Sequence, residues 1–324
     1  MTVAQAVQNG AVHAPREVLP IERRVAADLP YQEFFRQYVT VNRPVIIEGA
    51  VPQWRALRTW NPEFFKSNFG SKQVAVTYGV SQRLGDVIDA VMASTVERPG
   101  PYLHRVIIHQ DMPELLPDLT PENVYGFPGR YASPLMPHRF RRPDGYLKLL
   151  IGGAGGKFPL MHFDSDNANA AITEIFGDKE FVLFSPQDTR FVYPSSEGSN
   201  ASLVDNLEQP DWERFPLLRK ATEYRGTIRP GETIFVPAGW WHSARVVTTS
   251  ISVCLNMLHA PNWRGFIDEC CRAQGVHWAA RDAKRLYLEA TGAIMNAAEN
   301  LQIRYPGAGF VTALAKCSPA RPGL

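Results

Sequence analysis

The sequence predicts a mainly β protein, a jelly roll or barrel of two sheets, flanked by N-terminal α/β elements and C-terminal helices. Three observations predict it. Between Tyr146 and Leu255, short β-like runs follow one another, many of them separated by turn dipeptides such as Gly177-Asp178, Ser185-Pro186 and Pro230-Gly231. Upstream, helix-period and strand-period segments alternate, and downstream of Pro261 the apolar period becomes helical. Strands this short and this closely spaced fit a double-sheet or closed all-β architecture.

Residues 1–29 are polar, Pro-containing and weakly patterned, and are expected to form a loose arm. Tyr31 to Val39 predicts a helix with Phe34, Phe35 and Tyr38 on one face. Pro44 to Glu48 is a short apolar strand ended by Gly49, and Pro62 to Asn68 is a helix closed by Gly70. Gln73 to Tyr78 alternates as a strand, Leu84, Val87, Ile88 and Val91 mark an amphipathic helix, and Leu103 to His109 is a strand. The β-rich region comprises Tyr146–Ile151, Leu160–Asp164, Ala170–Phe176, Glu180–Phe184, Tyr224–Ile228, Thr233–Val236, Ala244–Val247 and Ser250–Leu255. Beyond Pro261, residues 261–324 form a helical extension. Its stripe of Leu286, Ala290, Ile294, Ala298 and Leu301 either packs against the barrel or forms a subunit interface.

The 324 residues, 45% hydrophobic and 20% charged, suffice for a sizeable core. A net charge of +2 is too close to neutral to argue for a nucleic-acid partner. Cys254, Cys270, Cys271 and Cys317 have neither zinc-like spacing nor a disulfide framework, so a reducing, cytoplasmic setting is expected. No signal peptide is expected at the N-terminus, and no apolar run approaches the roughly 20 residues that span a bilayer.

One segment carries the chemistry. In His162-Phe163-Asp164, two ligand-type side chains lie two residues apart, so on a strand they point to one face. Far downstream, after the turn Arg229–Glu232 and the buried strand Thr233–Pro237, Trp240-Trp241-His242 delivers a second imidazole. Two His and one carboxylate on one side of a metal, with the opposite positions open, is the ligand set of non-haem Fe(II) oxygenases. His242 alone reads equally well as a core histidine bonded to backbone. The upstream pair and the intervening strands favour the ligand reading. Trp240 and Trp241 either keep the site dry or are ordinary barrel packing.

Other motifs fail on context. His109-Gln110-Asp111 repeats the His-x-Asp pattern, but Met112-Pro113 follows at once and interrupts strand pairing, so His109 is read as structural. The glycine run 152–156 ahead of Lys157 is no phosphate loop, because Ile151 holds the required earlier glycine position and Phe158 replaces the Mg²⁺-binding hydroxyl. Neither a Gly-x-Ser-x-Gly elbow nor a His-Glu-x-x-His motif occurs.

An ordered set of motifs then resembles a known family. Leu149-Leu150-Ile151-Gly152, His162-x-Asp164, Gly177-Asp178-Lys179, Phe184-Ser185-Pro186, Tyr193-Pro194, the run Pro210–Pro216, Pro230-Gly231-Glu232, Pro237-x-x-Trp240-Trp241-His242 and Asn256 are similar to the JmjC/cupin-8 class of Fe(II)- and 2-oxoglutarate-dependent oxygenases. Within it they resemble the asparaginyl-hydroxylase (factor inhibiting HIF) type. The likeness runs from about Arg43 to Asn256 and makes residues 30–260 the JmjC/cupin-like oxygenase domain.

The resemblance implies a double-stranded β-helix with Fe(II) inside, 2-oxoglutarate as co-substrate and O₂ as oxidant. It implies that His162, Asp164 and His242 hold the iron, and that Lys179 holds the distal carboxylate of 2-oxoglutarate. A buried ammonium needs an anionic partner, which that carboxylate would supply. Tyr102 resembles a tyrosine that reaches the same carboxylate, Asn256 an asparagine near the co-substrate, and either Asn167 or Asn169 a further family asparagine. The chain departs from the family in three places. Phe158-Pro159-Leu160-Met161 lacks the threonine expected before the first histidine, the interval to Lys179 is two residues longer, and Met257-Leu258 replaces an aromatic pair.

The expected activity is hydroxylation of a C–H bond on a peptide or protein side chain. The alternatives are hydroxylation of a small molecule or RNA base, demethylation of an N-methyl lysine, and ligand binding without turnover. The segments Pro113–Pro143 and Ser195–Thr222 are expected to shape substrate entry, and the C-terminal helices to offer a homodimer contact.

Overall fold

The computed structural model describes residues 16–77, 80–126, 130, 133, 135–136, 147–272 and 278–304. Thirteen strands are present among them: β1 (Val18–Pro20), β2 (Arg23–Val25), β3 (Val45–Glu48), β4 (Gln73–Thr77), β5 (Val80–Arg83), β6 (Tyr102–Ile107), β7 (Lys148–Gly152), β8 (Asn169–Phe176), β9 (Lys179–Phe184), β10 (Glu223–Ile228), β11 (Thr233–Val236), β12 (Trp241–Val246) and β13 (Ser250–Met257). The helices are α1 (Tyr31–Phe34), α2 (Ala56–Thr59), α3 (Pro62–Phe69), α4 (Leu84–Met92), α5 (Ile108–Asp111), α6 (Ala260–Cys271) and α7 (Trp278–Arg304). No helix among the described residues is long and apolar enough to cross a membrane.

Two sheets face each other, as in a jelly roll. The larger has the order β2-β3-β11-β8-β13-β7-β6 and the smaller β1-β10-β9-β12, while β4 and β5 form a separate hairpin. Alternate side chains turn into the space between the sheets. Leu150, Ala170, Ile172, Phe181, Leu183, Ile234, Val236, Ala244 and Val246 form one buried cluster there. The opposite face of the large sheet is covered twice. Trp54, Trp60, Phe65, Val87, Ile88 and Val91 cover one part, and Phe34, Phe35, Tyr38 and Val39 cover the other.

Most expected elements are present, and the exceptions have physical causes. Residues 16–29 are not a loose arm. β1 pairs in parallel with β10 and β2 with β3, so the backbone donors and acceptors of this stretch are satisfied by the two sheets. Residues 1–15 lie outside the described residues. The helix from Tyr31 widens after Phe34 into a π-turn, with Thr40 N–H bonding Phe35 C=O, which brings Phe34, Phe35, Tyr38 and Val39 all into the core. α3 starts where Asn61 Oδ1 accepts from Phe64 N–H at 2.9 Å, with Pro62 at the first helical position. β6 stops at Ile107 rather than His109, because the Asp111 carboxylate accepts from Ile107 N–H at 2.7 Å and the chain turns into α5.

The C-terminal stripe is not packing. Leu286 is 69% exposed and Ile294 58% exposed, and α7 packs instead through Leu288 and Met295 onto Trp263 and Phe266 of α6. Residues 305–324, with Cys317, lie outside the described residues. Among the described residues, Cys254, Cys270 and Cys271 form no disulfide.

Candidate active site

His162 does not sit in a regular strand, contrary to the Leu160–Asp164 expectation. Its segment instead runs along β12 through isolated bridges, His162 opposite His242 and Lys157 opposite Arg245. Pro159, with no N–H to donate, interrupts the ladder, yet the extended backbone keeps the alternation. Met161 is buried outward with Trp241 and Phe184, and the Phe163 ring lies edge-on to Trp241 at 4.9 Å. His162 and Asp164 therefore turn the other way, toward His242. Asn200 clamps the segment, its Nδ2 donating to Phe163 C=O at 2.8 Å while Phe163 N–H donates to Asn200 C=O at 3.0 Å.

The ligand-type atoms of His162, Asp164 and His242 all lie within 4.8 Å of one another, and they form the one such cluster found among the described residues. His109 and Asp111, on α5, are not part of it. The two imidazole centroids are 4.5 Å apart, and His242 Nε2 is 4.0 Å from Asp164 Oδ2. Each Nδ1 faces a backbone carbonyl two residues earlier at 3.0 Å, Leu160 for His162 and Trp240 for His242. That contact fixes Nδ1 as the protonated nitrogen and leaves Nε2 free to ligate. Burial, and then the neighbouring His242, holds the His162 imidazole down at about 4, so it is neutral near pH 7. Two imidazoles and a carboxylate fit a divalent metal of intermediate softness, ferrous iron included.

The tryptophans position His242. Trp241 is fully buried, with Nε1 donating to Thr189 Oγ1 at 3.0 Å, and Trp240 Nε1 donates to Asn42 C=O at 2.9 Å. They point to opposite sides and lock the start of β12.

Four residues along the β9–β12 pair lies the second part of the site. Val246 opposes Lys179 as His242 opposes Leu183, about 13 Å of strand at ~3.3 Å per residue. Lys179 is fully buried between the sheets and donates to Ser252 Oγ. Its ammonium lies 5.7 Å from the Tyr102 ring centroid. Tyr102 fits there because its neighbour on β7 is Gly152, where a Cβ would come within 2.6 Å of the Tyr102 ring. The Tyr102 hydroxyl and Asn256 Nδ2 are buried donors without a hydrogen-bond partner, while Asn256 Oδ1 accepts from Lys148 Nζ at 3.2 Å. Two orphaned donors and a buried ammonium fit an anionic, oxygen-rich molecule such as 2-oxoglutarate.

Sequence reasoning missed what faces Lys179. Glu174 on β8, fully buried, places Oε2 3.7 Å from Lys179 Nζ, and Oε1 accepts from Ser250 Oγ at 2.5 Å. Lys179 thus already has an anionic partner within the chain. Burial, partly opposed by Lys179 and then the serines, pushes the Glu174 carboxyl up to about 7. Burial alone would lower the Lys179 ammonium, but Glu174 and Tyr102 outweigh it and the net shift is upward. Cys254, between Ser252 and Asn256 on β13, also faces inward, and burial pushes its thiol up to about 12. The strand period marks Glu174, Ser250, Ser252 and Cys254 as one facing set once Lys179 is placed.

Asn167 and Asn169 do not belong to this site, contrary to expectation. Asn167 Nδ2 donates to Asn262 C=O at 2.9 Å and its N–H to Glu269 Oε2 at 2.9 Å, so it anchors α6. Asn169 turns to the outer face of β8, where Oδ1 accepts from Ala238 N–H at 2.8 Å and Nδ2 meets His259 Nδ1 at 3.1 Å. The Ser195–Thr222 segment borders the triad through Asn200 and through Ser202 N–H, which donates to Met161 C=O at 2.9 Å. Most of the Pro113–Pro143 segment beyond Gly126 lies outside the described residues.

Comparison with known proteins identifies the fold family. A family model described as a cupin-like domain matches residues 31–101 and 80–264. The chain is 28% identical over 236 residues to "Lysine-specific demethylase 8" of Xenopus tropicalis, covering 69% of the chain and 50% of that protein. It is 27% identical over 249 residues to human "HSPB1-associated protein 1", covering 66% and 48% respectively. It is 26% identical over 262 residues to human "Bifunctional peptidase and (3S)-lysyl hydroxylase JMJD7", covering 68% and 78%. The chain spans about half the length of the first two of these relatives.

Proposed function

The chain belongs to the cupin-like family, in its JmjC class, and from that premise we propose that it is an Fe(II)- and 2-oxoglutarate-dependent oxygenase that hydroxylates a C–H bond on a peptide or protein side chain. The observation that carries the reading is the pairing of two sites in one barrel: the His162, Asp164 and His242 cluster, and the buried Lys179 beside the unpartnered Tyr102 hydroxyl, with the unpartnered Asn256 Nδ2 farther along β13. The names of two relatives, a lysine-specific demethylase and a lysyl hydroxylase, support a protein side chain as the target.

When bound, ferrous iron with the 2-oxo acid and O₂ supplies the oxidising chemistry that breaks the C–H bond. The chain supplies the rest. His162, Asp164 and His242 would hold the metal from one side and leave the other side open. The Leu160 and Trp240 carbonyls orient the two imidazoles. Lys179, Tyr102 and Asn256 would bind and orient the co-substrate, and the apolar lining of Leu150, Ile172, Leu183 and Val236 excludes water around it. Exposed Leu160 and Leu203 flank the histidine segment on the solvent side and suit contact with an incoming side chain.

Anaerobic addition of Fe(II) and 2-oxoglutarate tests the reading directly. A metal-to-ligand charge-transfer band is expected, followed by succinate release on admitting O₂, both abolished in His162→Ala and Asp164→Ala. An inert cupin scaffold gives neither signal. Mass spectrometry of candidate peptides and metabolites for one added oxygen then identifies the substrate, and formaldehyde release identifies demethylation.

A further inference from the structure

Lys179 is the cation that would receive the distal carboxylate of the co-substrate, yet it already faces Glu174. Ser252 is the direct partner of Glu174 across the β8–β13 register, and it accepts from Lys179. Ser250, on the same strand, holds Glu174 Oε1, and the other oxygen, Oε2, is buried with no hydrogen bond. Both charged side chains are fully buried, so as they stand they form a neutral pair. A second carboxylate on the same ammonium would leave a net negative charge in a site closed to water. Such a charge is costly unless it is neutralised. Two carboxylates sharing one site ordinarily resolve this by sharing a proton.

Resting on the oxygenase reading above, we propose that Glu174 is a co-substrate-binding residue: it takes up one proton from solvent as the distal carboxylate docks on Lys179, and presents Oε2–H to that carboxylate. The proton adds to Glu174 and no other bond changes. Oε2, which faces Lys179 Nζ at 3.7 Å without a hydrogen bond, is the atom that becomes the donor. The raised affinity of the Glu174 carboxyl for a proton, with its value near 7, is in keeping with this. The other titratable groups around Glu174 are less suited. Lys179 on β9 is held in its charged form, and burial shifts Tyr102 on β6 and Cys254 on β13 upward, so they stay protonated near pH 7 to 8. Lys148 on β7 bonds Asn256. The consequence is specific to this chain: its co-substrate affinity falls as the pH rises.

Calorimetric titration of 2-oxoglutarate into the full-length protein loaded with redox-inert Mn(II), in buffers of unequal ionisation enthalpy, counts the protons. At pH 8, uptake approaching one proton per 2-oxoglutarate is expected, and Kd rises close to tenfold between pH 8 and 9, the slope of a single linked proton. The monocarboxylate 2-oxobutyrate shares the metal-facing end but lacks the distal carboxylate, and is expected to bind without proton uptake. Glu174→Gln is expected to bind 2-oxoglutarate with no uptake and a flat Kd over the same range. 2-Oxoglutarate binding without proton uptake in the parent protein overturns the role of Glu174 and leaves the oxygenase reading intact. Equal uptake with 2-oxobutyrate assigns the proton to the metal end and also overturns it. Binding of neither acid at any pH removes the oxygenase reading, and the proposal with it.

Discussion

His162 and His242 bond each other's backbone in both directions, His162 N–H to His242 C=O at 3.0 Å and His242 N–H to His162 C=O at 2.7 Å. The two imidazoles, 80 positions apart in the chain, are therefore neighbours across one narrow antiparallel bridge. The backbone builds their proximity, and the third group, Asp164, follows from the alternation of the same extended segment.

Removal of a triad side chain should then abolish metal binding and spare the fold. For Asp164→Ala, loss of Mn(II) or Fe(II) binding by calorimetry is expected with a far-UV circular dichroism spectrum like that of the parent. A variant that unfolds would mean that the carboxylate holds the segment itself.

The clamp at Asn200 should matter out of proportion to its energy. Asn200→Ala removes the bond to Phe163 C=O and costs about 1 kcal/mol of stability. It also loosens the segment that carries His162 and Asp164, and supporting contacts of this kind change metal affinity by about 10- to 100-fold. A thermal melt beside a metal titration separates the two, and an unchanged metal Kd would count against the clamp.

Gly152 is expected to act through Tyr102. The added Cβ of Gly152→Ala would lie 2.6 Å from the Tyr102 ring and 3.0 Å from Val246 Cγ2, so the ring must move away from Lys179. Overpacking of this kind costs about 1–3 kcal/mol. Co-substrate affinity should fall more than metal affinity, because the triad sits elsewhere along β12; equal losses would show a general distortion.

The parts of the molecule legible in its sequence are those governed by local period. The alternation of β8, β9, β11 and β13, the amphipathic helix of Leu84, Val87, Ile88 and Val91, and the spacing of His162 and Asp164 are properties of neighbouring residues, and they reappear in the structure. What was not legible depends on partners remote in the chain. β1 and β2 have three residues each and exist because β10 and β3 offer parallel edges, so no alternation announces them. The Asn167 and Asn169 side chains are claimed by Asn262, His259 and Ala238, contacts that no spacing in the sequence announces. Glu174 in Ile172-Thr173-Glu174-Ile175 is a charged residue with no local mark of burial. β8 is covered on both faces, and Lys179 draws the carboxylate inward.

The buried pair should behave as a unit. Lys179→Met leaves the Glu174 carboxyl buried without its cation, and breaking a buried pair from one side costs about 3–5 kcal/mol. The double variant Lys179→Met with Glu174→Gln removes both charges and should recover most of that loss. A double-mutant cycle by chemical denaturation measures the coupling, and additive losses would show that the two groups do not interact.

The same carboxyl should leave a mark on stability against pH. Burial raises Glu174 from an ordinary 4.5 to about 7, so the folded state holds its proton more tightly than the unfolded state. Its contribution is therefore fully present below about pH 4.5 and is lost as the pH rises through about 7. Glu174→Gln has no such proton to lose. The stability of the parent relative to this variant should be greatest near pH 5 and decline toward pH 8. The decline should amount to a few kcal/mol, because each tenfold gain in proton affinity on folding is worth about 1.4 kcal/mol. Unfolding curves of both proteins across that range give the difference directly. A difference that stays level, or that grows with pH, would place the carboxylate in contact with water or with a stronger cation, against the closed pair formed by Glu174 and Lys179.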